Sequence, residues 1–232
     1  MWGGYLIIIS SRLYHEQIYG QLLEMGVEDE NIVDVGGLID GMSQRQYFDL
    51  PALRERTSAE EVFVDGGCFD GKTSQRFIQW CGGRFNKIYA FEPDPDNLTK
   101  CAQALGEYTD QYKIISKGLW DTTEELRFDA IANGSSKISD DGSVKIQVTS
   151  LDEAVTEKVT FLKLDIEGSE YRALLGACKI ISQQKPKLAI SIYHKPEDIW
   201  KLPALLLELN PDYRFYLRHY SIAASETVLY AI

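Results

Sequence analysis

The sequence predicts an α/β protein: a mostly parallel sheet with helices on both faces, preceded by a small N-terminal βαβ extension. Three observations predict it. From about residue 60 onward, short β-rich runs alternate with stretches of ten or so residues whose apolar positions recur at helical spacing, the pattern of successive βαβ units. The chain has 232 residues, 44% of them hydrophobic and 25% charged, an ordinary globular composition with a core that needs no staples. Two terminal runs, Tyr213 to Arg218 and Glu226 to Ile232, read as an antiparallel hairpin at one end of the sheet.

Taken in order, Tyr5 to Ser10 (strand), Arg12 to Met25 (helix) and Asn31 to Val35 (strand) form one βαβ unit, too small to bury a core alone. Residues 1–57 are therefore an extension, a dimer contact through which the chain pairs with a second copy, or part of a larger domain. Residues 58–232 are the main domain. Its strands are Glu61–Asp65, Lys87–Glu92, Tyr112–Ser116, Val159–Asp165 and Leu188–Tyr193, and its helices are Lys72–Trp80, Asp96–Leu105, Ser169–Gln183 and Pro196–Leu209. Between residues 124 and 151 two alternating strands, Glu125–Asp129 and Val144–Val148, flank a polar loop inserted into the pattern.

Lys+Arg number 24 and Asp+Glu 35, a net charge of −11 with no basic run, so a partner held through a phosphate backbone would meet repulsion over most of the surface. Nucleic acid is excluded as the main ligand. A small cofactor is not, because backbone N–H groups at a helix start bind locally whatever the global charge. The four cysteines, 68, 81, 101 and 178, contain no C-x-x-C and suggest neither zinc nor a disulfide framework. Tyr5 to Ile9 is too short for a membrane span. A soluble, cytoplasmic protein is expected.

Two glycine loops compete for a cofactor turn, Val33–Gly41 and Val62–Gly71. The first is followed by no clear helix and no acidic strand end. The second is followed by a helix and then by a strand ending in Glu92, 21 residues beyond Gly71. Gly66, Gly67 and Gly71 allow a tight strand-to-helix turn, and an acid ending the next strand can accept both hydrogen bonds of a ribose diol. Together they describe an adenosine-containing ligand; the competing reading is a plain tight turn beside a solvated strand end. Asp65 and Asp70 crowd a pyrophosphate but suit a cationic group, which favours S-adenosylmethionine over NAD. An NAD-dependent oxidoreductase and a non-catalytic nucleoside-binding module remain the alternatives.

The runs Val62-Phe-Val-Asp-Gly-Gly-Cys-Phe-Asp-Gly71, Ala90-Phe-Glu-Pro-Asp94 and Phe161-Leu-Lys-Leu-Asp-Ile-Glu-Gly-Ser-Glu170 resemble those of the FkbM-type S-adenosylmethionine-dependent methyltransferases. The likeness spans roughly residues 58–232, and Cys68-Phe69-Asp70 departs from the family's small or amide residues. It implies the class I methyltransferase (Rossmann-like) sheet with a reversed last strand, and O-methylation of a hydroxyl on a small molecule, sugar or glycan. It also implies that Asp65, Gly67 and Gly71 hold the methionine part, Glu92 the ribose, and Pro93 and Asp94 the adenine edge. The turn Gly118-Leu119-Trp120-Asp121 closes over adenine, with Leu119 or Trp120 as its apolar contact, and the loop at Ser135-Ser136 covers the cofactor.

Asp165, Glu167 and Glu170 fall where the fourth main strand turns into its helix, and period two puts Lys163, Asp165 and Glu167 on one face. They are either an ion-pair network or a group that orients substrate and cofactor; no metal is required. His194 ends the fifth strand on the same edge, where a base, aided by Asp165, can take the proton of a substrate hydroxyl. Strand alternation points Tyr193 away from it. His15 and His219 read as surface or packing residues.

Overall fold

The computed structural model describes residues 5–58, 60–108, 110–129, 137–138 and 144–232. The chain forms two compact units: one through Gln46 together with His219–Glu226, the other Tyr47–Arg218 with Thr227–Ile232.

In the smaller unit β1 (Ile7–Ile9) pairs in parallel with β2 (Ile32–Asp34), and α1 (His15–Glu24) makes the crossover. The first glycine loop is not a loop. Val35–Arg45 forms α2, because Asp34 Oδ1 caps it by accepting from Gly37 N (2.8 Å), while Asp34 Oδ2 meets His15 Nδ1 at 2.8 Å. A side chain at Gly36 would strike the Ser11 carbonyl, so Gly36 is set by packing.

In the larger unit α3 (Pro51–Glu55) precedes β3 (Val62–Gly66), α4 (Lys72–Trp80), β4 (Lys87–Phe91), α5 (Pro95–Leu105) and β5 (Tyr112–Ile115). Then come β6 (Gly118–Leu119), β7 (Glu124–Asp129), β8 (Lys137–Ile138), β9 (Val144–Thr149) and α6 (Leu151–Ala154). The chain continues with β10 (Phe161–Leu164), α7 (Glu170–Leu175), β11 (Lys187–Ser191), α8 (Asp198–Leu209), β12 (Phe215–His219) and β13 (Thr227–Ala231). The main sheet runs β12-β13-β11-β10-β3-β4-β5, parallel from β11 to β5, with β13 antiparallel to β11. The 124–151 insertion supplies β7, β8 and β9 of a second sheet, β6-β9-β7-β8, whose β7 and β9 are antiparallel and whose β6 precedes the insertion.

Chain order reverses between β3 and β10, so the carboxyl ends of these two neighbours frame the switch point where open α/β sheets bind ligands. One face of the sheet carries Phe63 and Phe161, packed with Phe48, Phe77 and Trp80; the Phe63 and Phe77 rings stack at 4.3 Å. The other face carries Val62, Val64, Leu162, Leu164, Leu188 and Ile190. Asp65 and Lys163 continue the aromatic face toward the switch point.

Two helices differ from expectation. The predicted Ser169–Gln183 helix stops at Leu175, and a π-type turn (Ile180–Gln184) follows. At Gly176 a side chain would strike the Trp120 carbonyl, and Asp152 caps the new start by accepting from Lys179 N and Ile180 N. Helix α8 begins at Asp198, whose Oδ2 accepts from Lys195 N, so Pro196 precedes the first turn. Among the described residues no helix is long and apolar enough to cross a membrane.

Candidate functional site

The β3–α4 loop is tied down almost group by group. Gly67 N and Cys68 N both donate to the Phe91 carbonyl (3.0 and 3.2 Å), Phe69 N to Glu92 Oε2 (3.0 Å), Gly71 N to the Cys68 carbonyl (2.8 Å) and Lys72 N to Asp70 Oδ1 (3.1 Å). These N–H groups are therefore not free to cradle a pyrophosphate. Gly67 has φ +73°, and a Cβ there would strike the Asp165 carbonyl across the switch point. Gly71, at φ +78°, leads into α4 where a Cβ would press on Ala104 and Cys101 of α5. Gly66 is the buried end of β3, with Leu164 and Leu119 where a Cβ would sit. All three glycines are set by backbone conformation and close packing.

Asp65 is fully buried. Its Oδ2 accepts from Ser74 Oγ (2.8 Å), and its Oδ1 lies 3.0 Å from Lys163 Nζ, which also donates to the carbonyls of Gly66 and Gly67 and lies over the Tyr47 ring. Burial works against the ammonium, yet Asp65 and Asp165 outweigh it and raise the Lys163 pKa. Asp70 pairs with Lys72 at 2.6 Å. Both carboxylates are thus paired with lysines, so neither is the unpaired charge that the sequence reading sets against phosphate.

Glu92 follows β4 and joins two loops. Oε2 accepts from Phe69 N and Oε1 from Asp94 N (2.9 Å), leaving further lone pairs on both oxygens. Burial and the neighbouring Asp94 raise its pKa against the pull of those N–H groups. Asp94 is the N-cap of α5, its Oδ1 accepting from Asp96 N and Asn97 N, and Pro93 beside it is half-buried. Gly118 and Leu119 form β6 against Val148 and Thr149. Leu119 is buried against Gly66. Trp120 packs on the second sheet beneath the Arg172 guanidinium. Ser135 and Ser136 lie outside the described residues. A separate cavity lined by Lys113, Ile115, Lys117, Thr123, Thr149 and Glu153 includes none of the expected site residues.

At the carboxyl ends of β10 and β11 the side chains converge on Asp165. Its Oδ2 accepts from Tyr47 Oη (2.7 Å) and its Oδ1 from Tyr193 Oη (3.2 Å), with His194 Nε2 3.5 Å from Oδ1. Burial pushes the Asp165 carboxyl up, but Lys163, His194 and the hydroxyls of Tyr47 and Ser191 hold it below the ordinary aspartate value. Tyr193 does not point away from His194: β11 ends at Ser191, alternation ends with it, and the two rings lie 4.2 Å apart. Glu167 leaves the strand at φ +55°, its Oε2 3.6 Å from His194 Nε2. Glu170 is fully buried at the start of α7, its Oε1 accepting from Ile166 N and lying 2.9 Å from His194 Nδ1.

Burial alone would lower the His194 pKa, yet Glu170, Asp165 and Glu167 raise it from 6.5 to about 9. Tyr47 carried no signal in the sequence. It adopts φ +75°, uncommon for an aromatic residue, and donates its N–H to Tyr230 Oη.

The chain that carries this site is similar to known proteins. The FkbM methyltransferase domain matches residues 66–221. The chain is 29% identical over 132 residues to the hexuronic acid methyltransferase AglP of Haloferax volcanii, covering 53% of this chain and 54% of AglP. It is 22% identical over 188 residues to the 2-O-methyltransferase NoeI of Sinorhizobium fredii, covering 64% of this chain and 76% of NoeI. The crystal structure of methyltransferase FkbM from Methylobacillus flagellatus superposes with a TM-score of 0.70 at 32% identity, over 82% of this chain and 47% of that one. The chain spans about half the length of AglP and of the Methylobacillus protein. A family match over two thirds of the sequence, with a mostly parallel sheet and a reversed last strand beneath it, makes this chain a member of the FkbM methyltransferase family.

Proposed function

We propose that the chain moves the methyl group of S-adenosylmethionine to a hydroxyl of a sugar, glycan or small molecule. The observation that carries the reading is Glu92. Its two oxygens accept N–H groups from two different loops, and in this reading lone pairs left on them accept a ribose diol. The internally bonded N–H groups of the β3–α4 loop favour a phosphate-free nucleoside there. In this reading Asp65 acts through Lys163 and Ser74 by holding the loop, and Asp94 and Pro93 shape the turn beside the base.

When bound, S-adenosylmethionine supplies a methyl group on a sulfonium whose sulfur leaves as a neutral thioether. The acceptor hydroxyl is oriented by Asp165, itself fixed by Tyr47 and Tyr193. A hydroxyl becomes far more acidic as its oxygen bonds to carbon, so a carboxylate of lowered pKa suffices to take the proton. His194 stands beside Asp165, Glu167 and Glu170 on the same edge. The relatives support the acceptor class: AglP is named for a hexuronic acid and NoeI for 2-O-methyl transfer.

Calorimetry with S-adenosylhomocysteine tests the cofactor half. One equivalent should bind, Glu92→Ala should weaken it at least tenfold, and NAD should not compete. A folded protein that binds no S-adenosylhomocysteine overturns the reading.

A further inference from the structure

We propose that Asp165, Glu170 and His194 form a binding site for one divalent cation of the Mn2+ type. The three residues come from the end of β10, the start of α7 and the end of β11, and each offers a ligand atom within 4.8 Å of the others. A mixed imidazole and carboxylate set suits such an ion better than the all-oxygen shells of calcium.

A second observation points the same way. The His194 side chain is 8% exposed, and neither ring nitrogen makes a hydrogen bond of proper geometry, although Nδ1 lies 2.9 Å from Glu170 Oε1. Nε2 stands 3.5 Å from Asp165 Oδ1 and 3.6 Å from Glu167 Oε2, too far for good hydrogen bonds. Ligands each about 2.1 Å from one ion at octahedral angles stand about 3 Å apart, so a small inward movement would let them share it. Glu170 is fully buried and its Oε2 has no hydrogen-bond partner, a costly state for a carboxylate oxygen. Three carboxylates around one imidazole leave net negative charge that a doubly charged ion would offset.

The ligands are also held from behind. Tyr47 Oη donates to the far oxygen of Asp165, and Ile166 N donates to Glu170 Oε1, the kind of contact that orients metal-binding carboxylates. The proposal does not depend on methyl transfer, since cation binding is measured without any methyl donor.

Titration of the chelator-free protein with Mn2+, following the free-ion electron paramagnetic resonance signal, should show one equivalent bound. Electron spin-echo modulation of the bound ion should show a coordinated imidazole nitrogen. His194→Gln should abolish that nitrogen coupling, and His194→Gln and Glu170→Gln should each weaken binding at least tenfold. Asp212→Asn, which removes an exposed carboxylate paired with Lys185, should change nothing. No saturable binding, or bound Mn2+ without nitrogen coupling in the unsubstituted protein, overturns the site even if a variant fails to fold.

Discussion

Lys163 Nζ and Asp65 Oδ1 stand 3.0 Å apart across neighbouring parallel strands, both side chains closed to solvent. Their positions are register partners, so the pair locks β10 to β3 beside the switch point. Removing one partner strands a buried charge, which costs about 3–5 kcal/mol. Lys163→Met should lower stability in urea unfolding by that amount, and Asp65→Leu with Lys163→Met should recover much of it. The Lys163 pKa is raised in the fold, so the pair's contribution is complete below the ordinary lysine value of 10.5 and is lost only as pH rises through the higher folded value.

Glu92 sets a pH dependence of the opposite kind. Burial and Asp94 raise its pKa above 4.5, against the N–H groups of Phe69 and Asp94 and the Asn97 side chain. The ionised form is the better acceptor for a diol, so S-adenosylhomocysteine affinity should fall as pH drops toward the raised value, earlier than an ordinary glutamate would dictate. Glu92→Gln should bind about tenfold more weakly, with a flat profile over the same range. An unchanged acid limb in that variant assigns the titration elsewhere. Without ligand, the folded state holds the extra proton, so this group's contribution to stability declines as pH rises from 4.5 to the folded value.

Two glycines with positive φ should respond differently to alanine. At Gly82 (φ +64°) nothing lies within 4 Å of an added Cβ, and the change should cost about 1–2 kcal/mol, the price of a left-handed conformation. At Gly67 the same penalty is joined by a collision with the Asp165 carbonyl. Gly67→Ala should therefore lose distinctly more than Gly82→Ala in denaturant unfolding; equal losses would show that β10 yields freely at the switch point.

The cysteines sort by burial. Cys68 and Cys101 lie with sulfurs 3.2 Å apart in the core, and the Cys68 thiol is pushed well up, first by its contact with Cys101 and then by burial. Cys81 is also buried, whereas Cys178 is half-buried. In the native protein a thiol reagent should label Cys178 first, with Cys68 and Cys101 reacting only on unfolding. Rapid labelling of Cys68 in the native state would contradict this packing.

Much of the fold was legible because its signals are local. Helix α4 was read as Lys72–Trp80 from apolar spacing alone, and that is its extent. The glycine turn and the following Glu92 were legible as an ordered motif. The neutralisation of Asp65 was not, since its partner Lys163 lies on a strand nearly a hundred residues away and a periodic pattern names no partner. Tyr47 is hidden for the same reason, meeting Asp165 across 118 positions. The His194 edge is legible in the sequence, but the three carboxylates around its ring are not, because they come together only in the turns beyond the ends of β10 and β11. Helix α2 was missed where Asp34 supplies a cap that two glycines seemed to deny.

The loop between β3 and α4 has one more consequence. Since Gly67, Cys68, Phe69, Gly71 and Lys72 already direct their N–H groups at acceptors within the protein, its shape is set before any small molecule arrives. The nucleoside proposed to bind there would meet a finished mould and surrender little conformational entropy, so differences in its affinity would sit mainly in the dissociation rate.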